Sequence, residues 1–209
     1  MQCKIILLIG ATGSGKSNFL DHLTPPNAKK RAKESLSARS STFEIAKIQH
    51  PEIPNTRLVI IDTPGWDDYT PTPSDIDKVM RGITLSYPLD AILFFHSISV
   101  NRAPPISTQT ALAIKSLAHR KQSKRGTFVT TMWDTTNEER AYAREDTLRD
   151  RTWKEVIEQC SFTATRFHNT TESAWNIIDA IPARLMNYPS TSDLLLDVPP
   201  EQGCFGCFP

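Results

Sequence analysis

The octapeptide Gly10-Ala-Thr-Gly-Ser-Gly-Lys-Ser17 satisfies G-x-x-x-x-G-K-[S/T] in full. Its glycines let the backbone turn N–H groups inward around an anion. A helix starting at the lysine points the positive end of its dipole at the same place. Lys16 then reaches the outer phosphates of a nucleotide, and the Ser17 hydroxyl is set to ligate Mg²⁺. The cradle comprises Thr12, Gly13, Ser14, Gly15, Lys16, Ser17 and Asn18. A turn that merely joins strand to helix needs neither the lysine nor the serine, so the segment reads as a nucleoside triphosphate site.

Two further stretches narrow the chemistry. Asp62-Thr-Pro-Gly65 follows the apolar run Leu58–Ile61. A carboxylate there can hold the water shell of Mg²⁺, and the Gly65 N–H can meet a γ-phosphate. Nucleoside kinases lack this second motif, which favours hydrolysis over phosphoryl transfer to a second substrate. Thr130-Thr-Met-Trp-Asp134 closes another apolar run. An aspartate in that place accepts from the ring N–H and amino group of guanine, whereas adenine presents the wrong pattern. The alternative for Asp134 is a cap on the helix that follows.

These segments need strands to position them. Ile5–Ile9, Arg57–Asp62, Asp90–Ile98 and Thr127–Trp133 read as buried strands, Thr163–Phe167 as a short last one, and Phe43–Gln49 alternates as an edge strand does. Helices are expected over Lys16–Leu23, from Ser74 to about Leu85, from Ser107 to about His119, over Glu138–Gln159 with a break near Asp150, and over Glu172–Met186. The alternation implies an α/β three-layer sandwich around a mainly parallel six-stranded sheet with one antiparallel edge strand. Ligands of such folds sit at the carboxyl ends of the strands, where the unusual residues cluster.

Bulk properties agree with one domain. The chain has 209 residues, 39% hydrophobic and 22% charged, with net charge +1, which gives no reason to expect nucleic acid as a partner. No run approaches the roughly 18 apolar residues that span a bilayer, and the short apolar run before Gly10 leads into the phosphate loop rather than a cleavage site. Four cysteines, Cys3, Cys160, Cys204 and Cys207, are too scattered for a disulfide scaffold. A cytoplasmic protein is expected.

Taken together, GATGSGKS, DTPGWDD, VTTMWD and RFHNT resemble the septin-like (paraseptin) division of P-loop GTPases. That division includes septins, chloroplast-import-receptor GTPases and immune-associated GTPases, and the chain is similar above all to fungal G domain-containing proteins. The resemblance covers about residues 4 to 187, so a G domain over 1–187 and a proline-rich tail over 188–209 are expected. It implies a Mg²⁺-dependent GTP/GDP-binding fold, GTP hydrolysis, and a homodimer paired across the nucleotide face. It also implies a Mg²⁺-binding threonine in the first switch, here Thr42. His168 and Asn169 fall in the last base-contacting loop, Asn169 to hydrogen-bond the base and His168 to stack on it, an ordinary turn being the alternative. The catalytic set is then Lys16, Thr42, Gly65, Asp67 and Asp68, with Ser17, Thr42 and Asp62 at the metal.

Three positions depart from the pattern. Met132 stands where a lysine usually packs along guanine, which opens the alternative of a base-tolerant NTPase. Trp66 replaces a water-orienting glutamine, and an indole has no acceptor for that task. Thr12 replaces a glycine that admits an arginine finger, so the water must be held otherwise, by Asp67, Asp68 or a partner chain through a group such as Arg102. A low-turnover nucleotide-gated switch is the further alternative. Cys204 and Cys207 form a lone C-x-x-C that completes no zinc site, and a lipidated tail touching a membrane is the minor reading beside an inert one.

Overall fold

The computed structural model describes residues 2–25, 44–63, 65, 90–100, 126–160, 162–181 and 184–185. Thr42, Trp66, Asp67, Asp68, Arg102, the helices expected from Ser74 and Ser107, and the tail with Cys204 and Cys207 lie outside the described residues.

The strands are β1 (Gln2–Gly10), β2 (Glu44–Gln49), β3 (Thr56–Asp62), β4 (Ala91–Ser97), β5 (Gly126–Thr131) and β6 (Thr163–Arg166). They form one sheet in the order β2-β3-β1-β4-β5-β6, parallel except for β2, which runs antiparallel to β3 at the edge. A two-residue β7 (Arg184–Leu185) adds antiparallel pairing to the start of β1. The helices are α1 (Lys16–Leu23), α2 (Glu138–Thr147), α3 (Lys154–Cys160) and α4 (Thr171–Asp179).

The continuous apolar run of β1 serves both faces of the sheet. Cys3, Ile5, Leu7 and Ile9 join Phe128 and the α2–α3 residues Ala141, Leu148, Trp153 and Val156 in one core. Ile6 and Leu8 join Phe19 and Leu23 of α1 and Ile177 and Ile178 of α4 in the other. The period of two along a strand puts alternate residues on opposite faces, so a strand covered on both faces must be apolar throughout. The result is the expected three-layer α/β sandwich.

Most strand ends shift slightly from the sequence reading, and three differences have a visible cause or consequence. The strand expected to reach Trp133 ends at Thr131, because Met132 takes a left-handed conformation (φ 62°) and sends Trp133–Thr135 into a short 3₁₀ turn. The break expected near Asp150 is a π-type turn over Leu148–Thr152. The last helix stops at Asp179 rather than Met186, and residues 184–185 return to the sheet. Pro182 cannot donate a helical hydrogen bond, which accounts for the stop. Where the parallel strands begin, Lys4 Nζ donates to Ile178 O (2.9 Å) and His50 Nε2 to Asp179 Oδ1 (2.8 Å), fixing the end of α4 to β1 and β2.

His96, near the end of β4, packs edge-on against Trp153 at 5.7 Å, and burial pushes its imidazole from the usual 6.5 down to about 4. The fold therefore holds it neutral, while the unfolded chain takes up a proton below pH 6.5. Stability is complete above that pH and is lost as pH falls toward 4, by at most about 3 kcal/mol. Urea unfolding at pH 7 and pH 4.5 should show a smaller acid loss for His96→Gln than for the unaltered chain; equal losses would refute this assignment.

Candidate functional site

The segment after β1 turns sharply because Gly10 permits it. Gly10 has φ 148°, and a Cβ there would lie 2.5 Å from the Phe95 carbonyl oxygen of the neighbouring strand. The loop then leads into α1, whose N-cap Gly15 supplies no side-chain acceptor and whose first turn holds no acidic residue. The helix's own first turn thus brings no carboxylate to the positive end of its dipole. Lys16 is buried and donates from Nζ to the carbonyls of Gly10 (2.8 Å) and Ala11 (2.9 Å), which fixes the ammonium at the base of the loop.

The second motif meets this loop directly. The Ser17 hydroxyl donates to Oδ2 of buried Asp62 at 3.3 Å, placing two oxygen ligands side by side. Such hard oxygen donors suit Mg²⁺. Among the described residues no cluster of three or more His, Cys, Asp or Glu offers another metal site. Gly65 lies against Thr12: a Cβ on Gly65 would overlap Thr12 Oγ1 and stand 2.6 Å from the Thr12 nitrogen. Only a glycine lets the two backbones come this close.

The third motif is joined to the first from below. Thr131, the last residue of β5, donates from Oγ1 to the Ser14 carbonyl at 2.8 Å, and both residues are buried. Past it, the carbonyl of left-handed Met132 accepts from the hydroxyls of Thr135 (3.1 Å) and Thr136 (3.0 Å). Asp134 is thereby presented on an exposed turn. It does not cap the next helix, since the Asn137 side chain accepts from Arg140 N and does so instead.

His168 and Asn169 stand beside Asp134. The Asn169 amide donates to Asp134 Oδ2 (3.0 Å), and its Oδ1 accepts from Asn18 Nδ2 (2.6 Å) and lies 3.1 Å from His22 Nε2. Asn169 thus holds the aspartate, and Asn18 holds Asn169, so both amides read from the sequence as nucleotide contacts carry these internal bonds. His22 of α1 is part of the same support. Exposed His168 donates its backbone N–H to Ser173 Oγ (3.2 Å), and its ring lies 6.1 Å from that of Trp133. A capping box of Thr170 and Ser173 starts α4 directly afterwards. The pattern T-x-x-S in the sequence signals this cap, and the hydroxyl of Thr131 is the support that sequence reasoning did not single out.

Thr12, Gly13, Ser14, Gly15, Lys16, Ser17, Asn18, Asp62, Gly65, Asp134, His168 and Asn169 therefore share the carboxyl ends of β1, β3 and β5 and the residues after β6. The chain is matched over residues 4–177 by the AIG1 family. No curated protein matches it. Among solved structures it is similar to Toc33 from Arabidopsis thaliana, as a dimerization-deficient mutant (TM-score 0.60, 16% identity, 81% of this chain and 72% of that one). Toc33 in complex with GDP and Mg²⁺ gives TM-score 0.57 at 18% identity over the same shares. The bacterial selenocysteine-specific elongation factor EF-Sec gives 0.58 at 23% identity, over 86% of this chain and 28% of that one. These likenesses establish the G domain fold.

The Thr131–Ser14 bond gives a first test of the site as built. Thr131→Val keeps the shape and leaves a buried carbonyl unpaired, which should cost about 1–3 kcal/mol in urea unfolding. A variant as stable as the parent would show that the loop and β5 are not coupled through this hydroxyl.

Proposed function

This chain belongs to the AIG1 family, and we propose that it binds guanine nucleotides with Mg²⁺ and hydrolyses GTP to GDP and phosphate. The observation that carries the reading is the unbroken line of contacts from Asp62 through Ser17 and Asn18 to Asn169 and Asp134. A nucleoside triphosphate laid along it meets the phosphate loop at one end and a carboxylate at the other. Ser17 and Asp62 would hold Mg²⁺, which when bound neutralises charge developing on the phosphoryl oxygens. Lys16 and the loop N–H groups add electrostatic stabilisation, and the Gly65 N–H serves the γ-phosphate. Thr42 belongs with the metal in this reading. Toc33 complexes with GDP and with GMPPNP, each with Mg²⁺, support the same class of ligand.

The reading extends to the chain as a whole: a G domain over 1–187, a tail over 188–209, septin-like affinity and a cytoplasmic setting. A base-tolerant NTPase is the second reading, favoured by Met132 in place of a lysine. One experiment separates the two. Nucleotide binding and phosphate release are measured with GTP and ATP side by side in Lys16→Ala and Asp134→Ala. Lys16→Ala should abolish binding or turnover of both. Asp134→Ala should weaken guanine nucleotides by about 1–3 kcal/mol and leave adenine nucleotides nearly unchanged. Equal losses for both bases would refute guanine recognition by Asp134.

Water positioning falls to Asp67, Asp68 or a second copy. Pairing of two nucleotide faces is supported by the exposure of Thr12, Gly13, Ser17, Asn18, Asp134 and Asn169 on one side of the domain. Specific activity per chain should then rise with protein concentration as dimers form. Brisk turnover that is constant over a hundredfold dilution, with a monomer throughout, would place the catalytic group within one chain.

A further inference from the structure

Beneath Asp134 and His168 lies a buried carboxylate that the nucleotide reading does not use. Glu145 of α2 is 1% exposed, and a carboxylate so placed requires a cation and hydrogen bonds. Arg166, the last residue of β6, supplies both: Nε donates to Glu145 Oε2 at 2.9 Å and Nη2 at 2.5 Å. The other oxygen, Oε1, is 3.2 Å from Thr130 Oγ1. Thr130 in turn accepts from the indole N–H of Trp133 at its carbonyl (3.2 Å) and its hydroxyl (3.1 Å). The guanidinium of Arg166 closes the circuit, with its carbon 4.7 Å from the centre of the Trp133 ring and 4.6 Å from that of Tyr142, two rings that themselves lie 5.6 Å apart.

We propose that Arg166, lying over the adjoining rings of Trp133 and Tyr142 and paired with Glu145, is a positioning residue that sets the two loops of the base pocket relative to each other and so governs base selectivity. Asp134 directly follows Trp133, and His168 stands two residues after Arg166, so both loops leave from members of one circuit. The last backbone bond between their strands is Phe167 N to Thr130 O (2.9 Å). Beyond it the loops meet through the exposed Asn169–Asp134 bond, which contributes little by itself. The indole N–H is held by the carbonyl and hydroxyl of Thr130, and the guanidinium over its ring transmits the position of β6 to the turn that carries Asp134. A lysine would keep the charge and lose both the stack and the paired donors. The proposal rests on the guanine reading of that pocket.

The test uses the full chain and three alterations: Arg166→Lys, Tyr142→Leu, and the double change Glu145→Met with Arg166→Met. The double change removes both charges, which proteins tolerate far better than one buried charge left alone. Tyr142 is 40% exposed, and its replacement removes one of the two rings under the guanidinium with the ion pair intact, so it decides the matter if the Arg166 variants do not fold. Dissociation constants for GDP and ADP, thermal melting and saturating phosphate release are measured for each. GDP affinity should fall about tenfold in the charge variants and about threefold in Tyr142→Leu, with ADP affinity nearly unchanged and the loss in KM rather than kcat. Folded variants that keep the parental GDP:ADP ratio overturn the proposal, as does an equal loss for both nucleotides that tracks melting temperature. A parent chain with no preference for GDP over ADP would instead overturn the guanine reading beneath it.

Discussion

Thr131 Oγ1 donates to the carbonyl of Ser14 across 117 positions of sequence, at a place where neither group reaches water. The Thr131 side chain also fills the space beside Gly15, where a Cβ would come within 3.2 Å of it. The phosphate loop is therefore seated on the end of β5, the strand whose next residues present Asp134. With β5 parallel to β4, and β4 to β1, the position of the loop and that of the base-reading turn follow from one sheet register. Without that register the two ends of the site would be independent surface loops.

The sheet itself is secured by burial on both faces, and this is why so much of it was legible. A strand covered on two sides cannot alternate, so Ile5–Ile9, Leu58–Ile61 and Ala91–Phe95 stand out as unbroken apolar runs, and an exposed edge strand stands out by alternating. The phosphate loop was legible for a different reason: its residue types have no cheaper explanation. Boundaries set by single backbone conformations were not legible. Met132 has no intrinsic liking for left-handed space, and nothing in the run up to Trp133 says that the strand ends two residues earlier. The supports of the pocket were missed because they are long-range. Nothing local to Arg166 announces Glu145, and nothing local to Asn169 announces Asn18; each pair exists only once the sheet order is known.

Asn169 shows how the same residues can be found and still be assigned an incomplete part. Its place after β6 marks it for the proposed base pocket, and the structure puts it beside Asp134. Its amide, however, bonds Asp134 on one side and Asn18 on the other. The carboxylate that would read the base is exposed, and an exposed carboxylate discriminates weakly unless its direction is fixed in advance. Asn169 contributes to that direction, with α1 behind it, so in the proposed reading the helix that would receive the phosphate also steadies the group that would read the base.

The backbone bears this out. Among the described residues three non-glycine positions have positive φ: Asn55, Met132 and Asn169. Two of the three flank the base pocket. Left-handed conformations cost an ordinary residue roughly 1–2 kcal/mol, less for asparagine, whose short polar side chain tolerates them. Each is held by neighbours that overdetermine it, Met132 by the Thr135 and Thr136 hydroxyls on its carbonyl and Asn169 by the capping box that follows. Strain of this kind persists where a side chain must face a ligand rather than the core. With methionine in place of the usual lysine, the stiffness of these two turns is what would let a single aspartate favour one base over another.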